Sequence, residues 1–396
     1  MDDSKVRAWW SHRQGLDGSL MGAPPAQVLA QSGWARSVAG VGPYLTLFAR
    51  ARTTRAEADR AVAMLEIHEL PTARGCTYVL PAADFALGLT VGDEFGGSDM
   101  KQALKLGVTE HEVEDLSAAV LIALEQGVMS PDEIRAATGA ASRSLGEAGK
   151  KQGMTTTLPL ALGRLQARGD IRRVPVNGRL DQQRYSYARW TPNPRATFTL
   201  PPAAAYTELA RRYFGWIGPA TLGEFQGFAG LGVKATKDAV APLGLLPSEP
   251  GSDRLLLPTD VEAFAAFTTP SRPQYSLVSS LDAITAARRD FKSMVDDRDL
   301  SRKVVSDKTL RSMGGLADLP SHAILDRGRL IGLWEFDVET HSIVCALFSR
   351  SRDTALDRVI RDTETYVRDE LGDARSFSLD SPKSRQPRID ALRGME

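Results

Sequence analysis

Cysteine is nearly absent: Cys76 and Cys345 are the only two in 396 residues. Two thiols cannot build a disulfide framework or a structural zinc site, so both are expected as small buried fillers in a reducing compartment. Long apolar runs are missing too. None approaches the roughly 18 residues of a membrane span, and the opening "MDDSKVRAWW" has no signal-peptide core. The expected setting is cytoplasmic, with no membrane, no metal and no cofactor. Nucleotide loops are also lacking. "GWARSVAGVGPYLTLFAR", Gly33 to Arg50, contains Gly40-x-Gly42, but no third glycine and no Gly-Lys-Ser/Thr follows. Gly42-Pro43 reads as punctuation before a short apolar helix carrying Tyr44, Leu45, Leu47 and Phe48.

What is present is an ordinary globular composition, 42% hydrophobic and 25% charged. The length suggests roughly two to four domains. The net charge of zero conceals an uneven distribution. From Lys150 to Trp190, nine basic residues face only Asp170 and Asp181, a net +7. Just upstream, Val108 to Glu133 holds seven acids and no lysine or arginine. Signs separated in this way can present a basic face to a polyanion, or form an ordinary solvated surface.

The clearest pattern lies between Asp115 and Ala188. "DLSAAVLIALEQG" has helical apolar spacing at Leu116, Val120, Ala123 and Leu124. In "SPDEIRAATG", Ser130 caps, Pro131 opens the helix, Glu133 closes a capping box and Gly139 stops it. "TTTLPLALGRLQARG" follows, with Thr155 and Thr156 leading into Thr157 as cap. Leu158, Leu162 and Leu165 form one stripe, and Arg164 and Arg168 lie on the opposite face. "DIRRVPV", the turn Asn177-Gly178 and "DQQRYSYA" read as a hairpin. Three helices and a hairpin is the winged-helix order, in which the third helix enters a major groove and the hairpin meets the backbone. Arg164 and Arg168 would then face nucleic acid, Lys150, Lys151, Thr155 and Thr156 would join them as DNA contacts, and Arg172, Arg173, Arg179 and Arg184 would occupy the wing.

Similar units recur on both sides. "AYTELARRYFGWIG", "PATLGEFQGFAG", "GVKATKDAVAPLG" and "LLPSEPGSDRLLLP" repeat the order between Ala205 and Pro258. "PAQVLAQSG", "PYLTLFARA" and "TRAEADRAVAML" (capped by Thr54 with Glu57) give three earlier helices, followed by extended runs around "IHELPT" and "CTYVLP". "HAILDRGRLIGLWEFDVETHSIVCALFSR" reads as a β-meander with a turn at Arg327-Gly328, "TALDRVIRDTETYVRDELG" as a helix, and the tail after Ser376 as weakly ordered. The expected class is α/β (α+β): winged-helix-like units at 1–105, 106–195 and 196–260, then a β-rich unit with a terminal helix at 261–396.

Taken in order, these pieces resemble the winged-helix DNA-binding proteins that include the AlkZ-like and YcaQ-like DNA glycosylases, which remove alkylated or crosslinked bases. "PYLTLFAR" resembles the family's early helix, and "RGCTYVLPAADF" its Arg-Gly-Thr-x-His-x-x-Pro-x-x-Asp segment. "LPLALGRLQARGDIRR" resembles its recognition helix and wing. "ARRYFGWIGPATLGEFQGFAGL" resembles its third module, "SLVSSLDAI" the segment around Phe-Asp-Pro, and "ILDRGRLIGLWEF" its C-terminal hairpin. The resemblance spans roughly residues 25 to 350. It implies a C-shaped tandem winged-helix body acting as a monomer on double-stranded DNA, alkylated or crosslinked, in the nucleoid.

The resemblance also locates a site. Just before the early helix the family carries Gln-x-Gln or Gln-x-Asp, whose polar ends position the attacking water. Here that stretch reads Ala35-Arg36-Ser37-Val38, with no amide or carboxylate. Gln31 falls too early, Ser37 is a poor base, and Arg36 would oppose a developing sugar cation. Glu66, His68, Glu69 and Arg74 lie on the neighbouring "EIHELPTARG". Glu66 and His68 alternate onto one side of an extended strand, while a surface strand with solvated charges is the plain alternative. Tyr78 stands where the family shows histidine, and Asp282 where it shows Asp-Pro. The candidate catalytic residues are thus Ser37, Glu66, His68 and Glu69. Arg36 and Arg74 join the DNA-contact candidates, and Gln31, Tyr78 and Asp282 are secondary. Two functions remain open: a metal-free monofunctional glycosylase, or a DNA-binding protein without catalysis that recognises lesions or regulates transcription.

Overall fold

The structure, a computed structural model, describes residues 3–38, 40–93, 97–182, 184–306, 309–349, 352–377 and 379–395. Ala39 in the glycine-punctuated stretch, Gln183 in the expected wing and Arg350 at the end of the expected meander lie outside them.

Helix α1 (Asp3–Arg13) buries Val6, Trp9 and Trp10. Trp9 donates to the Gly218 carbonyl at 2.9 Å and Trp10 to that of Pro219 at 3.1 Å, so both indoles are committed to packing. Helix α2 (Pro25–Ser32), strand β1 (Ala35–Arg36), α3 (Gly42–Ala51) and α4 (Arg55–Ala63) follow. The capping box of α4 forms as expected, with Thr54 accepting from Glu57 N while the Glu57 carboxylate accepts from Thr54 N at 2.8 Å. Gly40 has a packing reason. A Cβ there would collide with the main chain of Arg375 and Ser376, and next to it Val41 N donates to the Arg375 carbonyl at 3.0 Å. Strands β2 (Ile67–Pro71) and β3 (Thr77–Pro81) complete an antiparallel sheet ordered β1–β3–β2, with Arg36 opposite Tyr78 and Glu69 opposite Val79.

The middle of the chain adds α5 (Phe85–Asp93), α6 (Gly97–Lys105), α7 (Glu110–Ala123), α8 (Pro131–Thr138), α9 (Gly146–Lys150) and α10 (Leu158–Arg168). The hairpin β4 (Ile171–Pro175) and β5 (Tyr185–Arg189) closes it. Leu116, Val120, Ile134, Leu158, Leu162 and Leu165 meet in one core that also takes Met100, Ile171 and Tyr187, which is where the apolar stripes pointed. Ser130 and Glu133 form the expected box. Thr157 differs. It holds the cap position of α10 with helical dihedrals (φ −76°, ψ −16°), so its hydroxyl is not aimed at the first turn and makes no cap bond. Asn177 and Gly178 take φ +65° and +73°, but the bend they make belongs to a longer loop that ends only at Tyr185.

The pattern recurs in α11 (Pro202–Ile217), α12 (Leu222–Ala229), α13 (Val233–Val240) and the short hairpin β6 (Leu246–Pro247) and β7 (Leu255–Leu256). Then come α14 (Val261–Ala266), β8 (Tyr275–Val278), α15 (Ala283–Ala286) and the two-stranded β9 (Lys303–Ser306) and β10 (Thr309–Ser312). The expected meander is β11 (His322–Asp326), β12 (Arg329–Asp337) and β13 (Ser342–Leu347), in a sheet ordered β13–β12–β11–β8. Helix α16 (Thr354–Tyr366) covers it. The tail overturns the expectation of weak order: Ser381 caps a twelve-residue helix, α17 (Pro382–Arg393). Only Ile389 and Leu392 anchor it to the core, too few to show as periodicity. Ion pairs of Arg385 with Asp373, Arg388 with Glu335 and Arg393 with Asp337 complete the attachment.

Candidate active site and nucleic-acid interface

The β1–β3–β2 sheet brings together two residues that lie far apart in sequence. Ser37 N extends the β1–β3 ladder by donating to the Thr77 carbonyl at 3.0 Å. Across the sheet, Ser37 Oγ donates to Glu69 Oε1 at 2.5 Å. Both are nearly sealed, at 1% and 4% exposed. Arg173 Nη1 of the wing stands 3.8 Å from Glu69 Oε2, and the Arg173 guanidinium lies 4.8 Å from the Tyr185 ring. Burial and the adjoining Glu69 carboxylate both push the Tyr185 hydroxyl upward. A serine, a carboxylate, a guanidinium and a phenol from four strands therefore share one crevice. A carboxylate oriented by a hydroxyl, with its second oxygen facing Arg173 and Tyr185, can take a proton from a water admitted to the crevice.

Glu66 does not join them. The chain turns at Leu65 (φ +57°) and β2 begins only at Ile67, so Glu66 lies outside the strand alternation and approaches Arg60 at 3.8 Å. The expected pairing of Glu66 with His68 is absent. His68 is instead fully enclosed, edge-on to Phe85 and Trp190, and neither ring nitrogen has a hydrogen-bond partner. Burial, then the nearby Arg172 and Arg173, lower its pKa to about 3. His322 is also sealed and falls to about 4, chiefly through burial.

These shifts predict acid sensitivity. Below pH 6.5 the unfolded chain takes up a proton that folded His68 refuses, so its share of stability is complete above pH 6.5 and is lost as pH falls towards 3. At pH 5 the loss amounts to about 2 kcal/mol for His68. His68→Phe should flatten the stability profile between pH 7 and pH 5 by that amount in urea titrations. An unchanged slope would remove His68 from the account.

The other candidates are placed as follows. Gln31 is exposed at the end of α2. Asp282 is fully buried and accepts from Arg50 Nη1 and Nη2 at 2.8 and 2.7 Å, from Thr46 Oγ1 at 3.1 Å and from Ile284 N at 3.1 Å. All of these bonds are structural. Arg36 reaches Tyr78 Oη at 3.5 Å, and Arg74 donates to the Gly227 carbonyl at 3.3 Å. Cys345 is buried as expected, whereas Cys76 is only half-buried, with Arg74 Nη2 3.7 Å from its sulfur.

The charge separation seen in sequence closes up in space, which corrects the expectation of a bare basic face. Helix α7 packs against α10, so its carboxylates meet the α10 arginines. Arg164 pairs with Glu110 and, at 3.3 Å, with Glu114, while Arg168 holds Glu114 at 2.9 and 3.0 Å. Arg179 is held by Asp181 at 2.5 Å, Lys150 by Glu147 at 2.7 Å and Arg189 by Glu125 at 3.3 Å. Lys151, Arg172 and Arg184 make no ion pair among the described residues. Thr155 is exposed and Thr156 half-buried before α10. A cavity of about 410 Å³ separates this module from β2 and α5, with Pro71, Met100, Leu160, Gly163 and Arg173 on its walls.

Tyr185 and the β9–β10 hairpin escaped sequence reading. The hairpin exposes Leu310 and Arg311 beside Lys303. Strand alternation in "KVVS" and "TLRS" was its only signal. Among the described residues, no helix is long and apolar enough to cross a membrane, and no three potential ligands gather as a metal site.

The family model described as DNA glycosylase AlkZ-like matches residues 30–377. Among solved structures, the Streptomyces sahachiroi DNA glycosylase AlkZ aligns at a TM-score of 0.70 and 18% identity, over 94% of this chain and 97% of that one. No curated protein matches.

Proposed function

Because the chain belongs to the AlkZ-like DNA glycosylase family, a DNA-binding family of DNA repair, we propose that it hydrolyses the N-glycosidic bond of an alkylated or crosslinked base. The observation that carries this reading is the bond from Ser37 Oγ to Glu69 Oε1 at 2.5 Å, with Arg173 beside Oε2. Ser37 stands where the resemblance places a water-positioning amide, and Glu69 on the neighbouring strand supplies the carboxylate that the local sequence lacks. In the reaction, water oxygen bonds to the sugar C1′ and its proton passes to Glu69. The C1′–N bond breaks, and its electron pair neutralises the cationic ring of an N7- or N3-alkylated purine. Such a base leaves readily, so one placed carboxylate is sufficient help. A negative Glu69 also opposes the unfavourable effect of Arg36 and Arg173 on the sugar cation.

The same proposal takes double-stranded DNA as substrate and a single chain as the working unit, in the nucleoid. It sets Lys151, Arg172 and Arg184 against the backbone, with Arg164 and Arg168 on a helix directed to the groove but restrained by Glu110 and Glu114. Glu114→Gln is therefore expected to tighten binding to undamaged duplex by about three- to tenfold and to steepen its salt dependence by about one unit. Unchanged affinity and slope would place α10 away from DNA.

Base release from duplexes carrying 7-methylguanine, 3-methyladenine or a nitrogen-mustard crosslink tests the catalytic reading. Liberated base from at least one is expected. Tight binding with no release from any would leave DNA recognition alone, the second reading, which the missing amide at 35–38 favours.

A further inference from the structure

Two arginines from separate segments, Arg36 and Arg74, meet at Cys76 without acidic partners, and the stem of a third, Arg289, passes close by. Arg36 lies on β1 with its guanidinium 5.4 Å from the Tyr78 ring, and it also reaches Cys76. Arg74, in the β2–β3 connection, places Nη2 3.7 Å from the same sulfur and Nη1 3.3 Å from the Gly227 carbonyl. The Arg289 stem runs over the same glycine, its Cδ 3.5 Å from where a Gly227 Cβ would stand. Among the described residues, no carboxylate lies within ion-pair distance of Arg36 or Arg74, although most arginines of this chain have one. Arg36 Nε is buried without any partner.

The backbone adds an independent sign. Arg74 and Arg289 both adopt left-handed φ, +58° and +52°. Glycine would serve there without strain, yet an arginine is held at each place. Strain kept at a long cationic side chain that forms no ion pair is characteristic of a ligand site rather than of packing. The Arg36 and Arg74 guanidinium groups, which both reach the Cys76 sulfur, suit the tetrahedral oxygens of a phosphate.

We propose that Arg36, Arg74 and Arg289 form a phosphate-binding site that takes a backbone phosphodiester of the DNA. The site rests on the reading that this chain works on DNA, but not on its being catalytic. Arg36 and Ser37 are consecutive along an extended strand, so their side chains leave opposite faces. A phosphate gripped on one face fixes the strand that presents the catalytic pair on the other.

The test uses the full chain and a fluorescently labelled duplex, with dissociation constants measured between about 50 and 200 mM salt, a range over which phosphate contacts show strongly. Arg74→Gly and Arg289→Gly each remove a guanidinium together with its strained φ, and Arg36→Gln removes the third charge. The glycine variants are expected to melt no lower than the parent, while each of the three variants binds duplex about tenfold more weakly with a salt slope shallower by about one unit. Folded variants with parental affinity and slope would overturn the site. So would a melting shift of the parent by inorganic phosphate, abolished in Arg74→Gly, with the DNA slope unchanged, because the site would then serve a free anion. Absence of base release by the parent would leave these slopes readable, so this proposal and the catalytic one fail separately.

Discussion

Glu69→Gln is expected to lower base release by about two to four orders of magnitude with duplex affinity within about threefold of the parent. Glutamine keeps the shape of the side chain and an oxygen to accept from Ser37 Oγ, so the crevice stays closed and only proton acceptance is lost. The size of the fall follows from Glu69 being the one candidate carboxylate the fold delivers to this crevice. Glu66 is turned out towards Arg60, and Asp282 is fully occupied by Arg50. Ser37→Ala should lose less, about tenfold, because the hydroxyl orients the carboxylate without replacing it.

The second large effect concerns stability. Arg50 and Asp282 are both 0% exposed and joined by two hydrogen bonds, with Gln14 Oε1 accepting from Arg50 Nη2 at 2.8 Å. This cluster ties α3 to the start of α15, behind the glycine-punctuated segment that carries Ser37. Asp282→Ala leaves the guanidinium buried without its counter-ion and removes the cap of α15, a loss of about 3–5 kcal/mol. The melting temperature should fall by about 4–6 °C. Arg50→Met with Asp282→Ala should fall by clearly less than the two single losses combined, since one network is removed only once. A parental melting temperature for Asp282→Ala would show that this pair is not what holds the segment.

Local signals in the sequence accounted for most helices and for every hairpin but β9–β10. Leu158, Leu162 and Leu165 with Gly169 defined α10, Ser130 with Glu133 defined the start of α8, and Asn177-Gly178 marked the wing bend. What could not be read locally was which elements touch. The α7 acids and α10 arginines are some fifty residues apart, and only helix packing shows that each cancels the other. The Ser37–Glu69 pair likewise depends on β3 lying between β1 and β2, a strand order that no periodicity reveals. Helix α17 was hidden because Pro387 and a mostly polar sequence mask its two apolar anchors. These misses are non-local contacts or a helix held by ion pairs, and the β9–β10 hairpin and the Thr157 cap are local ones.

The most direct test of the central claim is single-turnover base release from a 7-methylguanine duplex, with enzyme in excess so that binding is saturated, for the parent and Glu69→Gln. The account predicts a measurable rate for the parent and a fall of at least about a hundredfold for the variant. A variant as fast as the parent would contradict it, because the carboxylate beside Ser37 would then have no part in the chemistry.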